Sequence, residues 1–312
     1  MTTYELDGSK AMATNLNSQQ DRKALSLVLG SGGARGLAHI GVIRELEEEG
    51  FEIRSVSGCS IGALIGGVFA AGKLDEFEKW VRTLTKLDVI KLMDISWTRD
   101  GLIRGDKVFK SLANLVGDQD IESLPIGFTA VAVDIVSQKE VWIAKGKIFD
   151  AIRASISLPM FFTPVKYGNS YLVDGSILNP IPIAPTLNDG MNKIVAVNLS
   201  GEVDQDFEDV ESIADKVLSS LEDVSIFSQL KMKLGLNRAK RGERRYGVHE
   251  VANLTYDSMQ GAISRHKLSA YPPDITIDIP RNAAGLLEFH RAGELIALGR
   301  KIAKRRLESL KT

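Results

Sequence analysis

Ser60 stands between two glycines in the order Gly58-Cys59-Ser60-Ile61-Gly62. A serine hydroxyl is a weak nucleophile until a base takes its proton, and a G-x-S-x-G turn between a strand and a helix raises such a hydroxyl above a sheet edge. The flanking glycines leave room for the tight turn, and the amino end of the following helix favours negative charge developing nearby. Upstream lies a second glycine-rich loop, Gly30-Ser31-Gly32-Gly33-Ala34-Arg35-Gly36. If both loops end parallel strands they open at the same sheet edge. The N–H groups of Gly32, Gly33 and Ala34 are then candidates to bind the oxyanion of a tetrahedral intermediate, each such donor being worth roughly 3 kcal/mol in the transition state. Arg35 is a candidate to brace the loop through a salt bridge. Downstream, Tyr171-Leu172-Val173-Asp174-Gly175-Ser176 places an aspartate after a short apolar run, followed by a glycine that permits a turn. Asp174 is the candidate base.

Other chemistries fit the same residues less well. The dinucleotide fingerprint G-x-G-x-x-G is broken because Arg35 occupies its third glycine, and no P-loop lysine followed by Ser or Thr is present. The acid expected about 20 residues further on is replaced by the Ser57-Gly58 elbow. A Ser-Asp-His triad remains open, since His249, His266 and His290 all follow Ser60 and Asp174. His290 is the best placed of them, but residues 286–300 have the apolar spacing of an amphipathic helix, which predicts a packing or surface position. His39 falls within the first helix and reads as packing. The four histidines are scattered with no H-x-x-x-H pair, so no metal site is expected and no cofactor is implied.

These loops need strands and helices to hold them. Residues 24–29 (ALSLVL) form an apolar run that stops at the glycine loop, and residues 37–49 have helical spacing. Residues 53–56 read as a second buried strand ending in the Ser60 elbow, followed by a helix of small residues through Ala71. Two strand–turn–helix units in succession favour a mostly parallel sheet covered on both faces. Residues 128–135 and 141–144 read as a hairpin, and 194–199 as another buried strand. Residues 202–223 are rich in acids and 231–245 in bases, the clearest shift of composition in the chain. The expected organisation is an N-terminal flexible tail over 1–22, a catalytic domain over 23–200, and a C-terminal, mainly helical extension over 201–312 that packs on the core. The strand pattern at 275–279 is a candidate to rejoin the sheet.

A formal net charge of −1 removes the long-range positive field of a dedicated nucleic-acid binder, so no nucleic-acid partner is expected. The single cysteine, Cys59, excludes an intrachain disulfide and fits a cytoplasmic location. The first residues lack the apolar run of a secretory signal, and the most apolar stretch, 61–72, is far shorter than the ~20 residues needed to span a bilayer. Peripheral contact of the basic stretch 231–245 with anionic headgroups is one expectation. Its pairing with the acidic stretch before it is the other.

The glycine loop, the G-x-S-x-G elbow and the Asp174-Gly175 pair occur here in the order that resembles the patatin-like phospholipase family. The resemblance covers residues 25–200 and includes 152–164 (IRASISLPMFFTP). The loop Gly30–Gly36 together with 94–106 (DISWTRDGLIRGD) is most similar to the bacterial cytoplasmic and neuropathy-target-esterase-like branches. It implies a three-layer α/β/α patatin-like fold. It also implies a carboxylic-ester hydrolase of the phospholipase A or lysophospholipase type acting on lipid acyl esters through a Ser60–Asp174 dyad, with Gly32, Gly33 and Ala34 as oxyanion donors. Gly30, Arg35, Gly36, Gly58, Gly62 and Gly175 would support the loop and elbow. Ser31 stands where plant members of the family have another glycine, and Ser176 stands where glycine or alanine is usual after Asp-Gly. A noncatalytic or gated lipid-binding or regulatory protein on the same fold is the alternative.

Overall fold

The computed structural model describes residues 23–92, 106–117, 119–159, 161–205 and 248–311. The expected tail 1–22, all but the last residue of 94–106, and the basic stretch 231–245 with nearly all of the acidic one lie outside these residues. Strand β1 (Ala24–Leu29) is buried at every position. An apolar run without alternation demands a strand covered on both faces, and β1 sits at the centre of the sheet. It pairs in parallel with β2 (Glu52–Cys59) on one edge and β7 (Ile194–Gly201) on the other. The parallel block continues through β3 (Gly127–Asp134) beside β2 and β8 (Ile275–Pro280) beside β7. Beyond β3 the direction reverses. Strands β4 (Lys139–Ile143) and β6 (Ser170–Asp174) run antiparallel to β3, and β5 (Val165–Tyr167) runs antiparallel to β6. The order is β5-β6-β3-β2-β1-β7-β8, with β4 on β3.

The α-helices among the described residues are α1 (Ala38–Glu48), α2 (Ile61–Ala70), α3 (Leu74–Arg82), α4 (Lys86–Leu92), α5 (Asp106–Val116), α6 (Ile148–Ser155), α7 (Val248–Ala270) and α8 (Ala292–Glu308). Alternation along β1 sends its side chains to two separate cores. Leu25, Leu27 and Leu29 join Val195 and Val197 in the main core with Ile40 of α1, Ile65 of α2, Ile152 of α6 and Leu295 of α8. Val28 and Ala196 face the other way, against Ile181, Ile183 and Leu268 of α7. The molecule is therefore a three-layer α/β/α sandwich around a mixed, mostly parallel sheet. Helix α2 is buried along its whole length, as its sequence of glycines, alanines and aliphatics requires.

Residues beyond 200 contribute helices to both faces and one strand, β8, to the sheet edge. The expected helix over 286–300 begins only at Ala292. Its first residues instead lie across the glycine loop, where the Leu286 carbonyl accepts from Ala34 N–H at 2.9 Å. Arg291 then bridges Glu288 and Glu294 at the start of α8.

Helices α1 and α8 touch backbone to backbone. A Cβ at Gly299 would lie 2.0 Å from Ala38 O, and one at Gly41 would lie 2.0 Å from Ile296 O. The half-buried pair Arg300–Glu45 spans the same seam at 3.1 Å. Gly299→Val should force the helices apart at a cost of about 3 kcal/mol, lowering Tm by roughly 6–12 °C in a thermal melt. An unchanged Tm would mean that α8 is only loosely attached.

Candidate active site

Strand pairing brings the two candidate catalytic residues together. Parallel β2 covers Gly127 to Val131 of β3, and antiparallel β6 covers Ala132 to Asp134. Because β4 pairs with residues 130–134 throughout, it occupies the opposite edge of β3, so β2 and β6 meet end to end on one edge. Cys59 lies opposite Val131 and Asp174 opposite Ala132. Ser60, the next residue after β2, therefore emerges beside the last residue of β6, and its Oγ donates to Asp174 Oδ2 at 2.5 Å.

Ser60 has φ 55° and ψ −124°, a left-handed conformation unusual for a residue with a side chain and costing on the order of 1–3 kcal/mol. Its neighbours hold it there. The Ser60 N–H donates to Ser155 Oγ at 3.0 Å, and Ser155 Oγ donates to Val131 O at 2.6 Å. Helix α2 starts directly after Ser60 and rests on β1. A Cβ at Gly62 would lie 2.0 Å from Leu29 O, and one at Gly58 would lie 2.4 Å from Gly62 O. Gly175 turns the chain after β6 against the Val131 carbonyl in the same close manner.

Asp174 is fully buried. Burial pushes its carboxyl up to about 6, while hydrogen bonds from Ser176 Oγ (2.6 Å), Ser60 Oγ and Ser176 N–H (2.9 Å) favour the carboxylate and oppose the rise. The Cys59 thiol lies 3.9 Å from Asp174 Oδ1. Burial first, and then the nearby carboxylate, pushes it well up, so it remains a neutral filler of the elbow.

The glycine loop ends β1 and enters a short 3-10 turn over Gly33–Leu37. Its three expected donors are not equivalent. Ala34 N–H already donates to Leu286 O at 2.9 Å and is unavailable, whereas no backbone acceptor for Gly32 or Gly33 N–H is found among the described residues. Gly30 N–H and Ser31 N–H are held by Val197 O and Pro180 O. The Gly30 carbonyl meets His39 Nε2 at 2.8 Å. Burial lowers His39 to about 4, so the ring is neutral and Nε2 carries the proton it donates to Gly30. Arg35 has its Nε on Gly32 O at 3.0 Å, one guanidinium arm on Arg281 O at 2.7 Å and the other on Asp257 at 3.1 Å. Gly36 packs against Ile61.

Ser60, Gly32 and Gly33 border a cavity of about 160 Å³. Its walls are mainly apolar, from Phe77 and Trp80 of α3, Leu112 of α5, Phe161, Phe162 and Leu286. No histidine hydrogen-bonds Ser60 or Asp174 among the described residues. His266 is exposed on α7, and His290 sits in the turn before α8. Among the described residues no three His, Cys, Asp or Glu side chains cluster as metal ligands, and no helix is long and apolar enough to cross a membrane.

Sequence reasoning missed Ser155, Tyr256 and Asp257. Ser155 lies inside the quoted stretch 152–164, so its position carried a signal. Tyr256 and Asp257 come from α7 and belong to no motif.

The profile described as patatin-like phospholipase matches residues 27–187. An uncharacterized NTE family protein of Mycobacterium tuberculosis is 37% identical, over 91% of this chain and 91% of that one. Neuropathy target esterase sws of Drosophila melanogaster is 30% identical over 59% of this chain but only 13% of its own. A lysophospholipase of Debaryomyces hansenii is 30% identical over 58% of this chain and 12% of its own.

The raised proton affinity of Asp174 has a consequence for stability. A carboxyl whose folded value lies above its unfolded value of 3.8 supports the fold fully below that pH, and the support is lost as pH rises through about 6. The loss approaches about 3 kcal/mol above pH 7. Asp174→Asn should melt several degrees higher than wild type at pH 8, with the difference vanishing near pH 4, as followed by scanning fluorimetry at both pH values.

Proposed function

Because this chain belongs to the patatin-like phospholipase family, we propose that it hydrolyses lipid acyl esters with Ser60 as nucleophile and Asp174 as its base. The observation that carries this reading is the 2.5 Å hydrogen bond from Ser60 Oγ to a fully buried carboxylate, made at the wall of an apolar cavity.

In this reading the acyl chain lies among Phe77, Trp80, Leu112 and Phe162, with the ester carbonyl above Ser60. Asp174 takes the Ser60 proton as Oγ bonds to the carbonyl carbon, and the N–H groups of Gly32 and Gly33 receive the oxyanion. The tetrahedral intermediate collapses with transfer of the Asp174 proton to the departing alcohol, leaving an acyl ester on Ser60. Water then attacks that ester as Asp174 accepts its proton, and collapse of the second tetrahedral intermediate returns that proton to Ser60 Oγ as the carboxylic acid leaves. An ordinary surface carboxylate is a weak base for a serine. Burial, with no histidine partner among the described residues, supports Asp174 in that role, since its affinity for a proton is raised while it stays ionised at neutral pH.

The substrate class is a phospholipid or lysophospholipid. The name of the Debaryomyces hansenii relative supports the single-chain substrate, and the apolar walls support a long acyl group.

Hydrolysis of p-nitrophenyl acyl esters by purified variants tests the reading. Ser60→Ala and Asp174→Asn should each lose about 10³-fold or more in kcat/KM, as residues that act as a unit do. In wild type, kcat/KM should rise with pH through about 6 and then level off, because Asp174 must be ionised to accept the proton. His290→Gln should keep both the rate and the pH profile. A loss of several orders of magnitude in that variant would replace the dyad with a triad.

A further inference from the structure

Ser176 and Tyr256 have no part in the reaction as written, yet both are tied to its base. Ser176 Oγ donates to Asp174 Oδ1 at 2.6 Å, on the carboxylate oxygen that Ser60 does not use. With its proton committed there, Ser176 Oγ accepts on its other side, and the Tyr256 hydroxyl from α7 is hydrogen-bonded to it. One helical turn on, the buried Gln260 reaches Ser176 O with a long contact of 3.4 Å, so α7 grips residue 176 at two points. The neighbouring Asp257 holds Arg35, and Arg35 holds Gly32 O.

We propose that Tyr256 and Ser176 are positioning residues, forming a relay in which the phenol donates to Ser176 Oγ, Ser176 donates to Asp174, and the carboxylate is thereby kept ionised to lower pH. The proposal rests on the dyad reading and adds two residues to it. A glycine or alanine at 176 has no hydroxyl to pass the contact on. Hydrogen bonds in series polarise one another, so the outer tyrosine strengthens the inner contact without touching the carboxylate. Burial pushes the Tyr256 phenol up, which keeps it a donor throughout the working range.

The titratable and charged groups around Asp174 come from four elements. They are the Cys59 thiol of β2, Tyr256 and Asp257 of α7, Glu140 of β4 and Arg35 of the glycine turn. Asp257 is paired with Arg35 and Glu140 with Lys267, while Cys59 and Tyr256 stay neutral. Between pH 5 and 9 the change of charge at this point of the site is therefore that of Asp174.

Profiles of kcat/KM against pH for wild type, Tyr256→Phe, Ser176→Ala and the double variant test the relay. The acid limb should move up by about one pH unit in Ser176→Ala and roughly half a unit in Tyr256→Phe, as loss of a hydrogen bond to a charged group requires. Near pH 9, where Asp174 is ionised in every variant, rates should agree within about twofold. The double variant should match Ser176→Ala, because the tyrosine acts through the serine. Limbs that stay in place, equal losses at every pH, or additive effects would overturn the relay. If wild type hydrolyses no ester, the dyad reading fails by itself. The relay is then read from the 13C signal of the Asp174 carboxyl, assigned with Asp174→Asn. The same upward shifts of its titration in the two variants support the relay, and an unmoved titration overturns it.

Discussion

The contact between Ser60 and Asp174 depends on how one edge of β3 is shared. Strand β2 runs up that edge in parallel and stops opposite Val131, while β6 runs down it antiparallel and stops opposite Ala132. Two residues far apart in the chain thus end on neighbouring positions of a third strand, and a hydrogen bond of 2.5 Å closes the gap. The rest of the site is built around this junction. Ser155 ties the Ser60 amide to the Val131 carbonyl, and Gly175 turns away against the same carbonyl. Helix α2 can leave the junction at the required angle because Gly58 and Gly62 allow backbone to meet backbone.

Such a junction is costly, and the surrounding fold carries the cost. Ser60 is held in a left-handed conformation, and the carboxyl beside it is fully buried. Both features oppose stability and both suit a nucleophile and its base, a pairing expected where function is favoured over stability. The offsetting terms come from a sheet whose central strand is buried on both faces and from the tight packing of α8 on α1. Residues beyond 248 are part of this support: Leu286 holds the glycine turn, and α7 reaches both Ser176 beside Asp174 and Arg35 of the loop.

Local geometry was legible in the sequence where a residue type is demanded by its own few neighbours. The glycines of 30–36, the elbow at 58–62 and the aspartate before Gly175 declare themselves because a tight turn or a backbone contact tolerates little else. The parallel strands at 24–29 and 194–199 were legible from mainly apolar runs, as was the β3–β4 hairpin from its polar turn. What depends on distant packing was not. Nothing near Ala34 says that its N–H is taken by Leu286, and nothing in α7 marks Tyr256 as a neighbour of Ser176. The helix around His290 was misjudged in extent for the same reason: apolar spacing continues through 286–291, but those residues are drawn across the glycine turn. Ser176 was visible as a departure from the family pattern, without any indication of what it would touch.

The central claim is that Ser60 carries the acyl group during turnover. Mass spectrometry of peptides from enzyme mixed with lysophosphatidylcholine and quenched in acid within a single turnover tests it most directly. The expected result is an acyl ester on the peptide that contains Ser60, absent from Ser60→Ala. Turnover of the lipid with no adduct on that peptide, and at an undiminished rate in Ser60→Ala, would contradict it.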